Sequence, residues 1–471
     1  MVGSPDPKTI AIVGGGFAGA AVAYQLAHSH AGARTLVFEP RPHLGKGLPY
    51  DTRDGAHRIN IAAGKMNLFP GDEGHFARWI AQADAISDDP GAIGTDGNLY
   101  PQREVFGRYA ADQLAASLAE GCIVHVRDRV IRVAREAGKW TLLGESGREE
   151  KADIIVLATT HPAPMVPAGL ESALGGDPRL ICDTSAEGAL NGVAPDARVL
   201  IVGTGLTMAD VVASLDAGGH TGKITAISRR GLLSRGHSAQ QSPPFGSFSD
   251  RRHTVLSLLR DIRATIAAAA AQGVSWHAVI EAVRAQGQTL WPDLGVAEQR
   301  RIVRHLRPYW DVHRFRIAPQ IAQVLERRLR NGSLETFAAS LRGASAGPRS
   351  IAVEFKRRGR PATQRLLCDA IVVTTGPAHH QSIATQPHLA SLARAGIIQA
   401  DHVGLGIACD REGRAIDRDG MPVASFFIAG PLARGTVGEL MGVPEVAEHA
   451  QFIAGHVLNL LHSRSERDPL S

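Results

Sequence analysis

Twice in this chain a short run of apolar, β-branched residues breaks into glycines and then continues as an apolar helical pattern. The first copy is TIAIVGGGFAGAAVAYQL, starting at Thr9, with Gly14, Gly16 and Gly19 in G-x-G-x-x-G spacing. The second is ARVLIVGTGLTMADVVASL, starting at Ala197, with Gly203 and Gly205. A strand that turns sharply on glycine into a helix is the opening of a βαβ unit. The predicted fold class is therefore α/β, with two Rossmann-like dinucleotide-binding domains.

Each glycine has a physical task. Thr9 to Val13 reads as a buried parallel strand. Gly14 permits the tight turn, Gly16 lets the backbone approach a pyrophosphate, and Gly19 lets the helix pack close to the strand. Phe17 and Ala18 open that helix, whose free N–H groups face the phosphates. RTLVFE at 34–39 is the next strand, and Glu39 closes it 20 residues past Gly19, where a carboxylate can accept hydrogen bonds from ribose hydroxyls. In the second copy Leu206 and Thr207 open the helix, and Met208 stands where the third glycine would be. The interval from Gly14 to Glu39, repeated from Gly203, lands on Ser228, followed by Arg229 and Arg230. Two guanidinium groups suit a 2′-phosphate. One acidic and one basic ending predict two different nucleotides, with NADP(H) favoured over NAD(H) at the second.

Composition excludes several classes. A net charge of +5 over 471 residues is small and spread out, so no nucleic-acid partner is expected. No stretch approaches 18 uninterrupted apolar residues, and MVGSPDPK has no apolar signal core, so no membrane association is expected and a cytoplasmic location is. Cys122, Cys182, Cys368 and Cys409 stand far apart with no C-x-x-C, against a disulfide reductase and a cysteine-rich zinc site. The 20 histidines show no H-E-x-x-H, and no metal is expected.

Between the fingerprints, residues 41–75 read as a long Gly- and Pro-rich loop over the first nucleotide, 101–119 as helical, and 122–144 as a small antiparallel meander. KADIIVLA at 151–158 is a core strand, mimicked later by DAIVVTT at 369–375. Residues 232–250 form a polar loop, 254 to about 330 turn helical, and 334–368 suggest another small sheet. Short strands, one over Phe426 to Gly430, and a final helix complete the chain.

The strings VGGGFAGAAVA, LGKGLPYDTRDGAHRINIAAGKM, IVGTGLTMADVVASL with ISRRGLLSRGH, YWDVHRFRIAP and FIAGPLARGTVGELMGVPE resemble a bacterial family of FAD/NAD(P)-binding proteins. The order of elements is similar to two-dinucleotide-binding-domain flavoproteins of the glutathione-reductase-like fold. The resemblance implies FAD in the first unit and NAD(P)H in the second. It implies an FAD domain built from 1–160 and 371–471, a crossover linker at 161–195, and an NAD(P)H domain at 196–370 with a helical insertion at about 251–330. Flavin-dependent hydroxylases, including urate-hydroxylase-like members, are nearest in kind; N-hydroxylating monooxygenases are more distant. Ala158-Thr159-Thr160 lacks the glycine that relatives carry there, whereas Thr375-Gly376-Pro377 keeps it. Gly430 is followed by Pro431 where many FAD proteins have Gly-Asp, so backbone groups of 430–436 are expected to meet the flavin.

Candidate site residues follow. Lys46, Tyr50 and Asn60 lie in the loop that passes the isoalloxazine in such folds. Trp310 and Arg314 share a helical face at i, i+4, as do Asp311 and Phe315. That pattern fits either a helix anchored by a cation–π pair and an ion pair, or an anion pocket. Glu439 and Glu445 near the last helix read as ordinary capping residues or as neighbours of the flavin, and His161 as a structural histidine. The expected activity is that of an FAD-dependent, NADPH-using monooxygenase, acting with O2 on a small organic substrate, anionic or N-heterocyclic in kind, through a C4a-(hydro)peroxyflavin. The alternatives are an NADPH-dependent flavin reductase that hydroxylates nothing, and a flavin-binding sensor.

Overall fold

The computed structural model describes residues 7–29, 32–248 and 254–465. Both glycine fingerprints sit at the centre of a parallel sheet. In the first sheet, Thr9–Val13 lies between Arg34–Phe38 and Ile154–Leu157 and pairs with both in parallel. Ile123–Val126 extends one edge, and Pro422–Ile428 with Arg414–Ile416 extends the other. Ile10 to Val13 and Ile154 to Leu157 are buried on both faces, which explains their unbroken apolar run. Helix Phe17–His28 and the last helix, Val443–Ser465, pack together on one face. The other face is covered by an antiparallel meander of Val130–Glu136, Lys139–Gly144 and Glu149–Ala152, and by helix Pro387–Arg394.

The second sheet has Val199–Val202 between Ile224–Ser228 and Ala370–Val373, all parallel. Leu180–Ile181 adds the far edge. On the other side the 13-residue strand Leu334–Ala346 pairs in parallel with Ile224–Ser228, and from Ala339 onward it pairs antiparallel with Ile351–Arg357, interrupted by a bulge at Leu341/Gly343. Thr363–Cys368 completes the seven strands. The region 334–368, expected as a separate sheet, is thus continuous with the second nucleotide sheet.

Three boundaries move. The strand Ala370–Val373 belongs to the second sheet, so the chain returns to the flavin-type unit only after Val373 rather than at 371. Leu180–Ile181, inside the expected linker 161–195, is a strand of that same sheet. Ile123–Val126, expected in the meander, joins the first sheet instead, and the meander runs to Ala152. Each error has one cause: short apolar strands carry no mark of which sheet they enter.

The helical insertion comprises Val255–Ala271, Trp276–Ala285, Gly287–Asp293, Val296–Arg301, a π-helical stretch Ile302–Leu306, Arg307–Arg314 and Pro319–Arg330. The polar loop at 232–250 has no regular element as far as Phe248; its last two residues lie outside the described residues, as do the first three of the expected insertion. The two connections between units run side by side. Pro164 bridges Pro377, and the Thr375 hydroxyl donates to the Met165 carbonyl at 2.9 Å. No helix among the described residues is long and apolar enough to cross a membrane.

Candidate active site between two nucleotide units

Gly14 adopts φ +103°, and a Cβ there would lie 2.6 Å from the Ala158 carbonyl oxygen. A side chain at Gly19 would run into the carbonyl of Gly14. Helix Phe17–His28 has no side-chain cap, and its first internal bond is Ala20 N–H to the Gly16 carbonyl at 2.9 Å. The preceding helical amides are therefore available to an anion. Glu39 is buried; its carboxylate accepts the Gly15 N–H at 3.0 Å and the Arg41 N–H at 3.2 Å. It pins the glycine turn and retains acceptor capacity beyond those two bonds. Pro431 follows Gly430 (φ +72°), whose own Cβ position lies 2.7 Å from Ala18, so the 430–436 segment abuts the same helix end.

The second fingerprint repeats the geometry. Gly203 sits at φ +125° against the backbone of Thr374, two residues before Gly376, so Gly376 falls beside the second turn rather than the first. Helix Leu206–Ala217 starts at Gly205 with no side-chain cap. Met208 is 1% exposed and fills the core where a third glycine would have allowed closer packing. Ser228 accepts the Gly231 N–H at 2.9 Å and lies 2.8 Å from the Thr204 hydroxyl, which donates to Leu232 at 2.6 Å. The turn is tied inward, leaving Arg229 exposed, while Arg230 stacks on Tyr309 at 5.0 Å.

The two units meet over a cavity of about 470 Å³. Tyr50 and Asn60 reach it from the loop after Glu39, Leu206 and Thr207 from the second helix start, and Met441 to Val443 from the start of the last helix. Gln240 and Gln241, both exposed, belong to its rim. Asn60 keeps a buried Oδ1 with no hydrogen-bond partner, a polar atom placed for a ligand. Burial pushes the Tyr50 phenol up to about 12, and its ring meets Phe106 edge-on at 4.6 Å. Lys46 stands apart from this cavity, 3.8 Å from Asp51.

The cavity walls are clamped from both units. Arg103 binds Asp210 at 2.8 and 2.9 Å, a pair 107 residues apart and largely buried. Arg103 also donates to the Arg58 carbonyl at 2.9 Å, and Arg58 grips Asp89 at 2.7 and 2.8 Å, which fixes the loop bearing Asn60. His57 lies 3.1 Å from the Ser214 hydroxyl, and the His237 ring 2.9 Å from the Asn60 carbonyl. Burial drives His237 down to about 4, so at neutral pH it is uncharged and donates to that carbonyl. None of these clamps was read from sequence, although Asp210, a charge within the apolar TMADVVASL helix, was a usable sign that a cation must meet it.

Arg314 and Trp310 do not form the expected pair. Arg314 points between Glu439 (3.0 Å) and Glu445 (3.4 Å) with its side chain 4% exposed, and its cation–π neighbour among the described residues is Phe315. Glu445 also binds Arg284, which holds Glu281 at 3.0 Å, which in turn holds Arg316 at 2.8 Å. The two glutamates thus serve as ion-pair partners, and Arg314 has no free charge for an anion. The Asp311 ion pair goes to Arg307 at 3.4 Å. Trp310 faces a second cavity, inside the insertion. His161 is half-buried and packs edge-on against His379, ring centres 4.4 Å apart.

Residues 11–162 match a family model described as FAD-NAD(P)-binding. This amino-terminal unit is a domain of that type. No curated protein sequence matches the chain significantly. Solved structures match it end to end at low identity, which places the fold. Ornithine hydroxylase from Pseudomonas aeruginosa, in its reduced form, aligns with TM-score 0.65 and 17% identity, covering 97% of this chain and 99% of its own. L-lysine 6-monooxygenase from Pseudomonas syringae aligns with TM-score 0.64 and 18% identity over 97% and 99%. The bacillithiol disulfide reductase of Bacillus cereus shares the architecture less closely, with TM-score 0.52, 16% identity and coverage of 98% and 100%.

Proposed function

We propose that this chain is an FAD-dependent oxidoreductase that takes hydride from a nicotinamide dinucleotide, NADPH before NADH, and hydroxylates a small organic molecule with O2. The observation that carries the reading is the single cavity lined at once by Asn60 and Tyr50 of the first unit and by Leu206 and Thr207 of the second. Two nucleotides whose phosphates rest on the two uncapped helix starts would direct their reactive rings into one space.

The residues present fit the flavin. Amides at Gly16 to Ala18 would hold its pyrophosphate, Glu39 its ribose through the acceptor capacity left after Gly15 and Arg41, and Asn60 Oδ1 a ring N–H. Arg229 would hold the 2′-phosphate of the second nucleotide, because Arg230 is engaged by Tyr309. When bound, the flavin supplies hydride acceptance and oxygen activation. The protein's part is to orient the rings, to exclude water with Tyr50 and Met441, and to keep the cavity walls fixed through Arg103 and Asp210. A thiol-exchange reading has no support, since Cys122, Cys182, Cys368 and Cys409 are all outside the cavity and free. The full-length alignment with a hydroxylase and a monooxygenase supports the oxygen-using reading over the reductase one.

Anaerobic mixing of the FAD-loaded protein with NADPH is the test. Bleaching of the flavin absorbance, faster than with NADH, is expected; an unbleached flavin refutes the reading. Oxygen uptake in step with loss of an added compound then separates hydroxylation from bare reductase activity.

A further inference from the structure

The insertion helices, with the segment from Arg434 to Met441, line a second cavity of about 740 Å³ whose surface is mostly apolar. Leu259, Ile262 and Ile266 of the first insertion helix, Val283 of the second, Ile302 of the π-helical stretch and Trp310 form its wall. The π-helical turn matters, because such a local widening is uncommon and concentrates at functional sites. Phe315 and Met441 line both this chamber and the cavity between the nucleotide units, so the two spaces share a wall.

One end of the chamber is cationic. Arg434 borders it, is 5% exposed, and keeps Nε and one terminal nitrogen without a hydrogen-bond partner. Among the described residues its remaining terminal nitrogen meets the Met441 sulfur alone, at 2.9 Å. The nearby acids are committed elsewhere. Asp311 pairs with Arg307, Glu439 with Arg314, and Asp401 accepts the amides of Val403 and Leu405. Burial and the like charge of Arg307 pull Arg434 down to about 10. The His161 and His379 rings behind it stay neutral, pushed by burial and then by Arg434 to about 3 and about 2. Asp311, Asp401 and Glu439 act on Arg434 only at a distance, with no direct ion pair to it among the described residues, and a ligand carboxylate would supply that missing contact.

We propose that this chamber binds an amphipathic carboxylic acid, with its carboxylate on Arg434 and its aryl or medium-chain alkyl body among the insertion helices. Its role as substrate rests on the monooxygenase reading, because the shared Phe315 and Met441 wall sets the acid's body beside the flavin cavity; its binding does not. A volume of about 740 Å³ accommodates either body.

Tryptophan fluorescence of the FAD-loaded protein provides the readout, because Trp276, Trp291 and Trp310 all line the chamber. Decanoate and 2-naphthoate are titrated against decan-1-ol and decylamine. At least one acid is expected to bind about tenfold or more tighter than the alcohol, as a charge-assisted bond warrants. Arg434→Gln should erase that preference while leaving alcohol binding unchanged, and Val283→Trp should weaken every probe by filling the chamber. Should Arg434→Gln fail to fold, Arg434→Lys and Val283→Trp carry the same comparison. Equal affinity for acid and alcohol, or acid binding that survives Val283→Trp, overturns the proposal. Flavin reduction by NADPH is measured separately: normal bleaching without acid binding sinks this inference alone, and acid binding with an unreduced flavin sinks the oxidoreductase reading and the acid's role as substrate while the binding site stands.

Discussion

Replacing Arg314 by Met tests whether the chain of three arginines and three glutamates in the wall of the cavity between the units is a coupled unit. In the protein, Arg314 is the sole ion-pair partner of Glu439 among the described residues, while Glu445 has Arg284 as well. Removing it leaves one buried carboxylate, 8% exposed, without a cation. Breaking a buried pair from one side costs ~3–5 kcal/mol. For a chain of 471 residues that corresponds to a fall of ~3–5 °C in Tm. Removing the stranded charge too, in Arg314→Met/Glu439→Gln, should recover ~1.5–3 kcal/mol of it, because Glu445 keeps its other arginine. The pH dependence has a definite sign. Burial already holds Glu439 above the usual carboxylate range, with Arg314 opposing the shift. Without Arg314 its folded pKa rises further, so the deficit is small below the unfolded carboxylate pKa and grows as pH climbs through the raised value. Melting monitored by flavin release at about pH 5 and about pH 8 should show the variant closest to wild type at the lower pH. A double variant no more stable than the single, or a deficit independent of pH, would refute the coupling.

Further expectations concern the nucleotide sites and the clamp between them. Gly14→Ala should yield protein purified largely without flavin, since its Cβ would press on the Ala158 carbonyl at 2.6 Å from a left-handed backbone position; full flavin occupancy contradicts the cradle. Arg229→Ala should raise KM for NADPH about tenfold or more and leave KM for NADH within about twofold, whereas Arg230→Ala should act less selectively because its guanidinium is stacked on Tyr309. Asp210→Asn should lower Tm by several degrees and slow flavin reduction, as Arg103 loses its partner across the units; an unchanged reduction rate would detach that pair from cavity geometry.

The parts legible in sequence were those whose cause is local. Gly14, Gly19 and Gly203 announce their turns because no other residue could stand there, and the strands before them announce burial by an unbroken apolar run. Tyr50 and Asn60 were expected together on the segment after Glu39, and the structure brings both to one cavity. What escaped depends on partners far along the chain. Arg314 meets residues 125 and 131 positions away, and an i, i+4 pattern with Trp310 gave no warning of them. Strand membership failed for the same reason, since Ala370–Val373 and Leu180–Ile181 look alike whichever sheet receives them. Arg434 and its chamber depend on several insertion helices converging with the segment around Arg434, which periodicity alone does not reveal.

The side-by-side linkers at Pro164 and Pro377 act mechanically as one strap. A strap permits folding about a single axis, yet Arg103 with Asp210, His57 with Ser214, and His237 with Asn60 lie away from it and work as latches. Swinging the units apart would have to open all three at once. Traffic into the cavity is then governed by its doorway, where Gln240 and Gln241 stand, and not by the hinge. The nucleotide that leaves each cycle would exit past a few side chains, with the two sheets holding still.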